Sequence, residues 1–348
     1  MALRPITMAT GMKLLEKGGT WLRAMPANLR SSEEAHFQGL VTCSTPDMGV
    51  SEYDQAVIAV GGEPFHGGEL LPQYFSEEHR FLARDRERFA KRRARAEMDA
   101  LPLAGEHVFV TDRFSANYYH WLCDTLPRLE AISRTMPLAS LLLPPSVAAL
   151  PFVVESLQAW PQIRIAVFPQ ADRAVRVERL IIPDHAARNG DHAPDLLRRV
   201  RQRLIAHFAP DTRPLGRRVH VSRAGARIRR IANETQLEPV LARHGFETLH
   251  FEQMSLGEQI RAMVQSSAMV AIHGAGLANM LFMEPASSVL EIRQLQGVPD
   301  CFHSLANACG HSYRYQLAEP ERAGIHPHAA DLIVDPDQLD AEMREMTA

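Results

Sequence analysis

The chain has 348 residues, of which 46% are hydrophobic and 23% are charged, and its formal net charge at pH 7 is −3. This length favours two domains over a single core. Nucleic-acid binders are usually basic along one stripe of their surface, whereas this chain has a near-neutral net charge. We therefore expect no nucleic-acid partner. The four cysteines show no CxxC spacing, which argues against a zinc site and a disulfide framework.

The distribution of apolar residues indicates no membrane span. No run approaches the ~18 apolar residues that a spanning helix needs. The first residues, "MALRPITMATGMKLLEKGG", contain charges where a signal peptide would be apolar. We expect a cytoplasmic protein, and peripheral association with the inner face of the membrane is also compatible with the sequence. Composition leaves the oligomeric state open.

Residues 1–210 are predicted to form a first α/β domain whose first ~50–100 residues are irregular, with antiparallel additions. The strands predicted in this half are 56–63, 107–112, 140–144, 163–168 and 178–183. The helices predicted in it are 77–98, 116–134, 147–159 and 194–208. The boundary is placed in "APDTRPLG" (209–216), where two prolines and a glycine follow a helix.

Residues 211–330 are predicted to form a second domain with a more regular alternation. Its predicted strands are 217–223, 247–251, 268–274, 288–292 and 312–318. Its predicted helices are 233–245, 255–267, 277–283 and 300–310, and a C-terminal helix lies within 331–348. Apolar strands separated by helices indicate βαβ units and a parallel, Rossmann-like sheet. Two such domains would enclose a cleft, where ligands usually bind.

The stretch "AIHGAGLAN" (271–279) predicts a phosphate-binding loop. An apolar strand ends at His273, and a helix begins after Gly276. Glycines at this position favour positive φ angles and let a ligand approach the backbone, while the helix N-terminus offers unpaired N–H groups to an anion. A tight turn with a hydrogen-bonded histidine is the alternative. The pattern is not GxGxxG, so we expect no NAD.

Polar residues also end the two neighbouring strands. Ser222 and Arg223 follow the strand before the loop, and Arg229 lies a few residues further on. A planar guanidinium matches a diphosphate in a bidentate manner. Glu291 ends the strand after the loop, where it either accepts hydrogen bonds from ribose hydroxyls or forms a structural salt bridge.

A polar stripe lies along the helix predicted over 116–134. Its members are Asn117, His120, Asp124 and Arg128, at spacings of 3, 4 and 4. Such a stripe predicts the floor of a site, with His120 as an oriented imidazole base or Asp124 as a carboxylate base beside a histidine donor. A capped helix with a satisfied buried histidine is the structural alternative. Pro127 deprives this helix of one hydrogen bond.

The sequence lacks the motifs of several other enzyme classes. "HGAG" is similar to the oxyanion loop of esterases, but the chain has no G-x-S-x-G. It has no P-loop either. The only D-x-D is Asp335-Pro-Asp337, which predicts a helix cap rather than a metal site.

The stripe and the loop together resemble family-61 glycosyltransferases, which include enzymes of the capsular-polysaccharide type. "NYYHWLCDTLPRL" (117–129) is similar to the family's N-terminal motif. The segment 220–292, which begins with "HVSRAGAR" and ends with "SVLEI", is similar to the family's signature region. The resemblance covers about 105 to 318. It implies an inverting transferase of GT-B-like build, with two Rossmann-like domains and the nucleotide sugar held by the second.

The resemblance also implies roles for individual residues. The donor diphosphate would be lined by Arg223, His273, Gly274, Ala275, Gly276 and Asn279, with Ser222 and Arg229 beside them. Glu291 would contact the ribose. His120 or Asp124 would face the acceptor as the base, with Asn117, Tyr118 and Arg128 on the same side. Many members have a threonine where this chain has Ala278, which removes one hydroxyl near the phosphates.

The expected reaction is a single displacement that moves a sugar from a nucleoside-diphosphate sugar, most commonly a UDP-sugar in this family, to a hydroxyl of a glycan. The acceptor would be an oligosaccharide, polysaccharide or glycolipid, in bacterial surface polysaccharide synthesis. We expect arginine and helix dipole, rather than a required metal ion, to meet the leaving-group charge. The alternative function is a non-catalytic nucleotide- or glycan-binding regulator that retains the fold.

Overall fold

A computed structural model of the chain describes residues 13–76, 83–135 and 140–347. The strands are β1 (Lys13–Glu16), β2 (Gly19–Leu22), β3 (Thr42–Thr45), β4 (Met48–Ile58), β5 (Pro64–His66), β6 (Glu69–Leu70), β7 (Leu101–Val108), β8 (Leu141–Leu143), β9 (Ile165–Val167), β10 (Val175–Pro183), β11 (Arg217–Val221), β12 (Phe246–Leu249), β13 (Ser266–Ile272), β14 (Ser288–Arg293), β15 (Ser312–Leu317), β16 (Glu319–Pro320) and β17 (Leu332–Ile333). The fold is α/β.

The α-helices are α1 (Glu34–Gln38), α2 (Ala83–Asp99), α3 (Tyr118–His120), α4 (Leu126–Thr135), α5 (Pro145–Ala148), α6 (Pro151–Leu157), α7 (Pro194–Phe208), α8 (Glu234–Arg243), α9 (Leu256–Val264), α10 (Cys301–Cys309) and α11 (Pro336–Thr347). A π-helical turn (Trp121–Thr125) joins α3 to α4, and a 3₁₀-helix (Ala275–Phe282) follows β13. Over the described ranges, no helix is both long and apolar enough to cross a membrane.

The first sheet is mixed, with the strand order β6-β5-β4-β10-β7-β8-β9 and β1 also paired to β4. Strands β10, β7, β8 and β9 run parallel. The long β4 pairs antiparallel with β10, so the sheet is only partly Rossmann-like. The prediction of a strand at 56–63 found only the end of β4, because its middle, residues 51–55, is polar and largely exposed. Gly105, at φ +92°, lies where the register between β7 and β10 shifts, which is the geometry of a β-bulge.

The second sheet confirms the predicted parallel arrangement. Its order is β12-β11-β13-β14-β15, and every pair is parallel. Helix α9 begins with the capping box that its sequence predicts, since the Ser255 side chain accepts from the Glu258 N–H and the Glu258 side chain accepts from the Ser255 N–H. The chain reverses direction across the sheet between β11 and β13. In open α/β sheets, this switch point is where ligands bind.

Some helix boundaries differ from the predictions. The described part of the helix predicted over 77–98 runs from Ala83 to Asp99, and the predicted residues 77–82 lie outside the described residues. The helix predicted over 147–159 is two short helices, because Pro145 and Pro151 each start a new one at its first turn. The helix predicted over 277–283 is a 3₁₀-helix that begins at Ala275.

The two sheets share packed helices and one hydrophobic core. Helix α7 contacts α4 beside the first sheet and α9 and α10 beside the second. The segment 209–216 then leads from α7 directly into β11. Residues 24–37 also pack on the second sheet: the Ala27 N–H donates to the carbonyl of Tyr313 on β15. Residues that follow parallel strands of both sheets line a common cavity.

Candidate active site

Both sheets have a switch point, and the loops from the two switch points meet. In the first sheet, β8 and β9 lie on one side of β7 and β10 lies on the other. The loops that follow β7 and β10 supply Phe114 and Asn189 to a cavity of about 480 Å³, and the loops after β11 and β13 supply Arg229 and His273 to the same cavity. We call it the His120 cavity, because His120 forms part of its wall.

A second cavity, of about 370 Å³, adjoins the first on the other side of the glycine loop. We call it the Phe251 cavity. Its walls include Tyr118, Phe152, Arg223 and Phe251. Ala275 lines both cavities, so the loop 274–276 separates them. The two cavities therefore suit an elongated ligand whose central anionic group lies at the loop and whose two ends occupy the two cavities.

His120 and Asp124 form a hydrogen-bonded pair. The Nδ1 of His120 lies 2.6 Å from the Oδ2 of Asp124, and their side chains are 17% and 14% exposed. Phe114 stacks on the His120 ring at 4.8 Å between centroids and 19° between planes, which fixes the orientation of the imidazole. Because a carboxylate can only accept, Nδ1 carries the proton and Nε2 is left as an acceptor. Burial raises the pKa of Asp124, and the hydrogen bond from His120 opposes that rise.

The backbone around this pair is a π-helical turn. The Leu126 N–H bonds to the carbonyl of Trp121, five residues back. Pro127 has no N–H for the carbonyl four residues before it and crowds that carbonyl, so widening the helix relieves the conflict. Such turns often occur at functional sites. Asn117 caps the N-terminus of this helix, where its side chain accepts from the Tyr119 N–H.

Arg128 does not face the cavity that the stripe predicts. Its side chain is 1% exposed, and its guanidinium donates to the backbone carbonyls of Val110, at 2.7 Å, and Pro183. Burial lowers the pKa of Arg128 to about 10. In this structure, Arg128 ties together the segments that follow β7 and β10 and is not available to an acceptor.

Glu291 is also turned inward. It is fully buried, its Oε1 lies 2.5 Å from the Nδ1 of His273, and its Oε2 accepts from the Tyr313 hydroxyl at 2.6 Å. Arg293 approaches the same carboxylate at 3.8 Å. Burial raises the pKa of Glu291, but the Arg293 and His273 charges and hydrogen bonds outweigh it, and the net pKa is below the ordinary value. The structural salt bridge is thus the alternative that the structure supports, and the carboxylate orients His273 instead of reaching a ribose.

The two loop glycines serve close packing and not a left-handed backbone. Gly274 is extended, at φ 167°, and Gly276 is not among the residues with positive φ, so that expectation was wrong. A Cβ on Gly274 would lie 2.9 Å from the Nη1 of Arg223. A Cβ on Gly276 would lie 3.3 Å from a methyl group of Val221. Glycine at 274 therefore lets the Arg223 guanidinium lie against the loop.

Arg223 and Arg229 place two positive charges beside the loop. The Nε of Arg223 donates to the carbonyl of Arg229 at 3.2 Å, and its Nη2 donates to the carbonyl of Ile228 at 3.3 Å. Arg229 has a left-handed backbone, at φ +57°, and its buried Nε has no hydrogen-bond partner among the described residues. Burial lowers the pKa of both arginines, and for Arg229 the neighbouring Arg223 lowers it further. Two desolvated cations side by side favour an anion between them.

Buried polar residues hold the loop in place. Asn279 is fully buried and donates to the Gly276 carbonyl at 3.2 Å and to Gln259 Oε1 at 3.1 Å. The Tyr118 hydroxyl donates to Asn279 Oδ1 at 2.8 Å and so links the stripe helix to the loop. Ser222 accepts from the Ala224 N–H and shapes the turn that carries Arg223. Asn279 and Ser222 thus position the loops around a ligand.

Sequence reasoning missed several residues of the His120 cavity. Tyr119 donates toward His192 at 2.9 Å, and His192 contacts Ser304 at 3.0 Å, which joins the two halves beside the cavity. His328 lines the cavity from the loop between β16 and β17. Neither His192 nor His328 stands in a recognisable motif. A histidine outside any motif gives no signal until the fold brings it to the cavity.

The D-x-D sequence takes a structural role. Asp335 Oδ1 accepts from the N–H groups of Asp337 and Gln338, which confirms it as the cap of α11. In the described parts of the chain, no group of three or more His, Cys, Asp or Glu side chains is placed to hold a metal ion.

We predict that Arg223→Ala weakens nucleoside diphosphate binding by about 1.5–3 kcal/mol, the range for a hydrogen bond to a charged group. Gly274→Ala should weaken binding as well. Its Cβ would lie 2.9 Å from the Arg223 guanidinium and would displace it. Calorimetric titration measures both. Gly274→Ala should add little in the Arg223→Ala background, and the exposed Arg227→Ala should bind as wild type does. A full additive loss in the double variant contradicts this mechanism.

Comparison with protein-family models gives a match. The family model described as Glycosyltransferase 61 matches residues 118–290, from the helix that carries His120 to the strand that carries Glu291. A search of curated proteins finds no match to the chain. The family match supports the identification of the chain as a family-61 glycosyltransferase.

Proposed function

We propose that the chain is an inverting glycosyltransferase of GT-B build that moves a sugar from a nucleoside-diphosphate sugar to a glycan hydroxyl. In this proposal, residues 1–210 are the acceptor-side domain, residues 211–330 are the donor domain, and 331–348 is an additional C-terminal helix. The observation that carries it is one cavity whose wall contains His120 from the first half and Arg229 and His273 from the second. A base and a positively charged site for an anion thus face the same cavity.

His120 is the proposed base. His120 lines the cavity, whereas Asp124 lies behind it and accepts a hydrogen bond from Nδ1, with 2.6 Å between Nδ1 and Oδ2. The free Nε2 accepts the proton of the acceptor hydroxyl as that oxygen attacks the anomeric carbon. The bond from that carbon to the diphosphate oxygen breaks, and the configuration inverts. Asp124 stabilises the imidazolium that forms, as the carboxylate does in other histidine–carboxylate pairs.

The departing diphosphate is met by fixed positive charge. Arg223 lines the Phe251 cavity and Arg229 lines the His120 cavity, so the two cations flank the loop 274–276. His273 is held on the wall of the His120 cavity by Glu291. Preorganised donors of this kind stabilise charge that develops in the transition state. We propose that these groups suffice and that no metal ion is required.

The Phe251 cavity is the proposed compartment for the nucleoside. Its walls carry three aromatic side chains, Tyr118, Phe152 and Phe251, which suit a planar base. It adjoins Arg223, so a nucleoside there places its diphosphate at the loop and its sugar in the His120 cavity. A UDP-sugar is the proposed donor, on the basis of the family resemblance. The same basis supports a bacterial surface-polysaccharide acceptor and a cytoplasmic site, with peripheral membrane association.

A panel of sugar nucleotides tests the proposal. The purified protein is heated with each UDP-, GDP-, CDP-, dTDP- and ADP-sugar, with and without EDTA, and the melting temperature is recorded. A ligand at 100 times its Kd adds about 2.7 kcal/mol to stability. Donors that stabilise the protein are then incubated with glycan acceptors, and release of the nucleoside diphosphate is followed. Stabilisation without turnover on any acceptor favours the non-catalytic regulator, and no stabilisation by any donor contradicts the proposed site. Loss of the stabilisation with EDTA contradicts metal independence.

A further inference from the structure

The loop between β16 and β17, residues 321–331, forms one wall of the His120 cavity. It lies outside the segment that the family model matches, residues 118–290. His328 of this loop lines the cavity together with Arg229 and His273. Its ring lies 6.4 Å from that of His273 between centroids, and it stacks on His326 at 5.5 Å and 16°. The loop therefore brings a third imidazole to the anion side of the cavity.

The position of His328 depends on a close contact between two loops. Gly297, in the loop after β14, has φ +78°, and a Cβ there would lie 2.5 Å from the Cγ of Pro327. The absence of that Cβ lets Pro327 dock against the loop that supplies Val298 and Pro299 to the same cavity. The residue after Pro327 is His328, so this contact holds the imidazole over the cavity.

The charged surroundings of His328 favour an anion. The titratable and cationic groups that face it are Arg229 from the loop after β11, His273 from the end of β13, and His326 from its own loop. Burial, then Arg229, His273 and His326, lowers the pKa of His328 below its ordinary value. The lowered pKa favours the neutral imidazole at pH 7. A diphosphate between these groups would reverse the local potential and favour the imidazolium.

We propose that His328 is a donor-binding residue that contacts the diphosphate of the sugar nucleotide and takes up a proton when the donor binds. The proposal rests on the donor site proposed above and adds to it a residue outside the family-matched segment. Its consequence is a linkage between donor affinity and pH. Binding draws a proton onto His328, so donor affinity rises as the pH falls from about 8 to about 6.

Calorimetric titration of nucleoside diphosphates tests the contact. UDP, CDP, dTDP, GDP and ADP are titrated into the wild-type protein at pH 7.5, and the best binder is compared with its phosphate-free nucleoside. His328→Ala should weaken binding of the diphosphate by about 10-fold, the lower end for a hydrogen bond between charged groups, because His328 is exposed. The nucleoside should bind both proteins equally. His328→Lys, which keeps a cation at every pH, should retain wild-type affinity.

The pH dependence separates His328 from other titrating groups. Between pH 8 and pH 6, the affinity of the wild type should rise more than that of His328→Lys. The terminal phosphate of the ligand titrates in the same way with both proteins, and they differ only at residue 328, so its contribution cancels in the comparison. Equal slopes for the two proteins would overturn the proton uptake.

Two glycines of matched conformation test the positioning. Gly297→Ala should displace Pro327 and with it His328. We expect binding of the diphosphate to weaken by several-fold. Gly324→Ala has the same backbone cost, at φ +79°, but no atom within 4 Å of the added Cβ, so it should bind as wild type does. Equal effects of the two substitutions would overturn the positioning role of the Gly297–Pro327 contact.

The outcomes distinguish the two proposals. If no nucleoside diphosphate binds the wild type, the donor site fails and the role of His328 fails with it. If the wild type binds one and His328→Ala binds it within twofold, only the role of His328 is overturned.

Discussion

His120→Gln is expected to lower the rate of sugar transfer by about 10²–10⁴-fold, the usual contribution of a general base, and to leave sugar-nucleotide binding near the wild-type value. The reason is geometric: His120 is the member of the pair that lines the cavity, with its Nδ1 bound to Asp124 at 2.6 Å. Transfer is measured as release of the nucleoside diphosphate in the presence of acceptor, and binding is measured by titration of the donor.

Asp124→Asn separates the two roles within the pair. An asparagine has nearly the same shape, so the protein should fold and bind the donor, but it holds the imidazole less firmly in the productive tautomer. We expect a loss of transfer no larger than that of His120→Gln. The double variant should be little worse than His120→Gln alone, because residues that act as a unit are not additive.

Wild-type transfer in both single variants would show that the stripe is only a structural helix face. Loss of transfer in Asp124→Asn alone, with His120→Gln affecting mainly acceptor affinity, would make Asp124 the base. If neither residue is the base, His66 is the next candidate in the sequence. It lies on β5 with its ring 5.2 Å from that of Tyr53, and it lines neither cavity of the proposed site.

Glu291→Gln should destabilise the protein by about 3 kcal/mol, since removing one charge from a buried pair leaves the other uncompensated. Glu291 and Arg293 are both fully buried, and the carboxylate also holds His273 and Tyr313. Urea unfolding measures the change. The matched control is Glu247→Gln, whose partner Arg217 and own side chain are 29% and 43% exposed, and there the loss should stay below about 1 kcal/mol.

The effect of Glu291→Gln should depend on pH. The pKa of Glu291 is lowered in the folded protein, so its ionised form contributes stability that is fully present above the unfolded value of ~4.3. That contribution is lost as the pH falls through the folded pKa. The gap between wild type and Glu291→Gln should therefore be constant from pH 7 to about pH 5 and shrink below that. A gap that widens toward acid would show that the carboxyl is protonated in the folded protein.

The local features of the second half could be predicted from its sequence because their causes are local. Apolar runs such as 268–272, separated by helical segments, indicate buried parallel strands, and Ser255 with Glu258 marks a helix start. The same reasoning located the loop 273–276 and the stripe helix. It failed at β4, whose polar middle is stabilised by pairing with β10, more than a hundred residues away.

The direction of each polar side chain was decided only by the tertiary structure. His120 and Arg128 stand on one predicted stripe, yet His120 faces the cavity and Arg128 bonds to carbonyls after β7 and β10. Glu291 lies near the end of a strand, as a ribose-binding carboxylate would, but its carboxylate is buried and contacts Tyr313 and Arg293. His328 reaches the cavity because Pro327 docks on Gly297. A buried polar group needs partners, and those partners come from elements distant in the chain, so sequence determined which residues could serve the site and packing decided which of them face it.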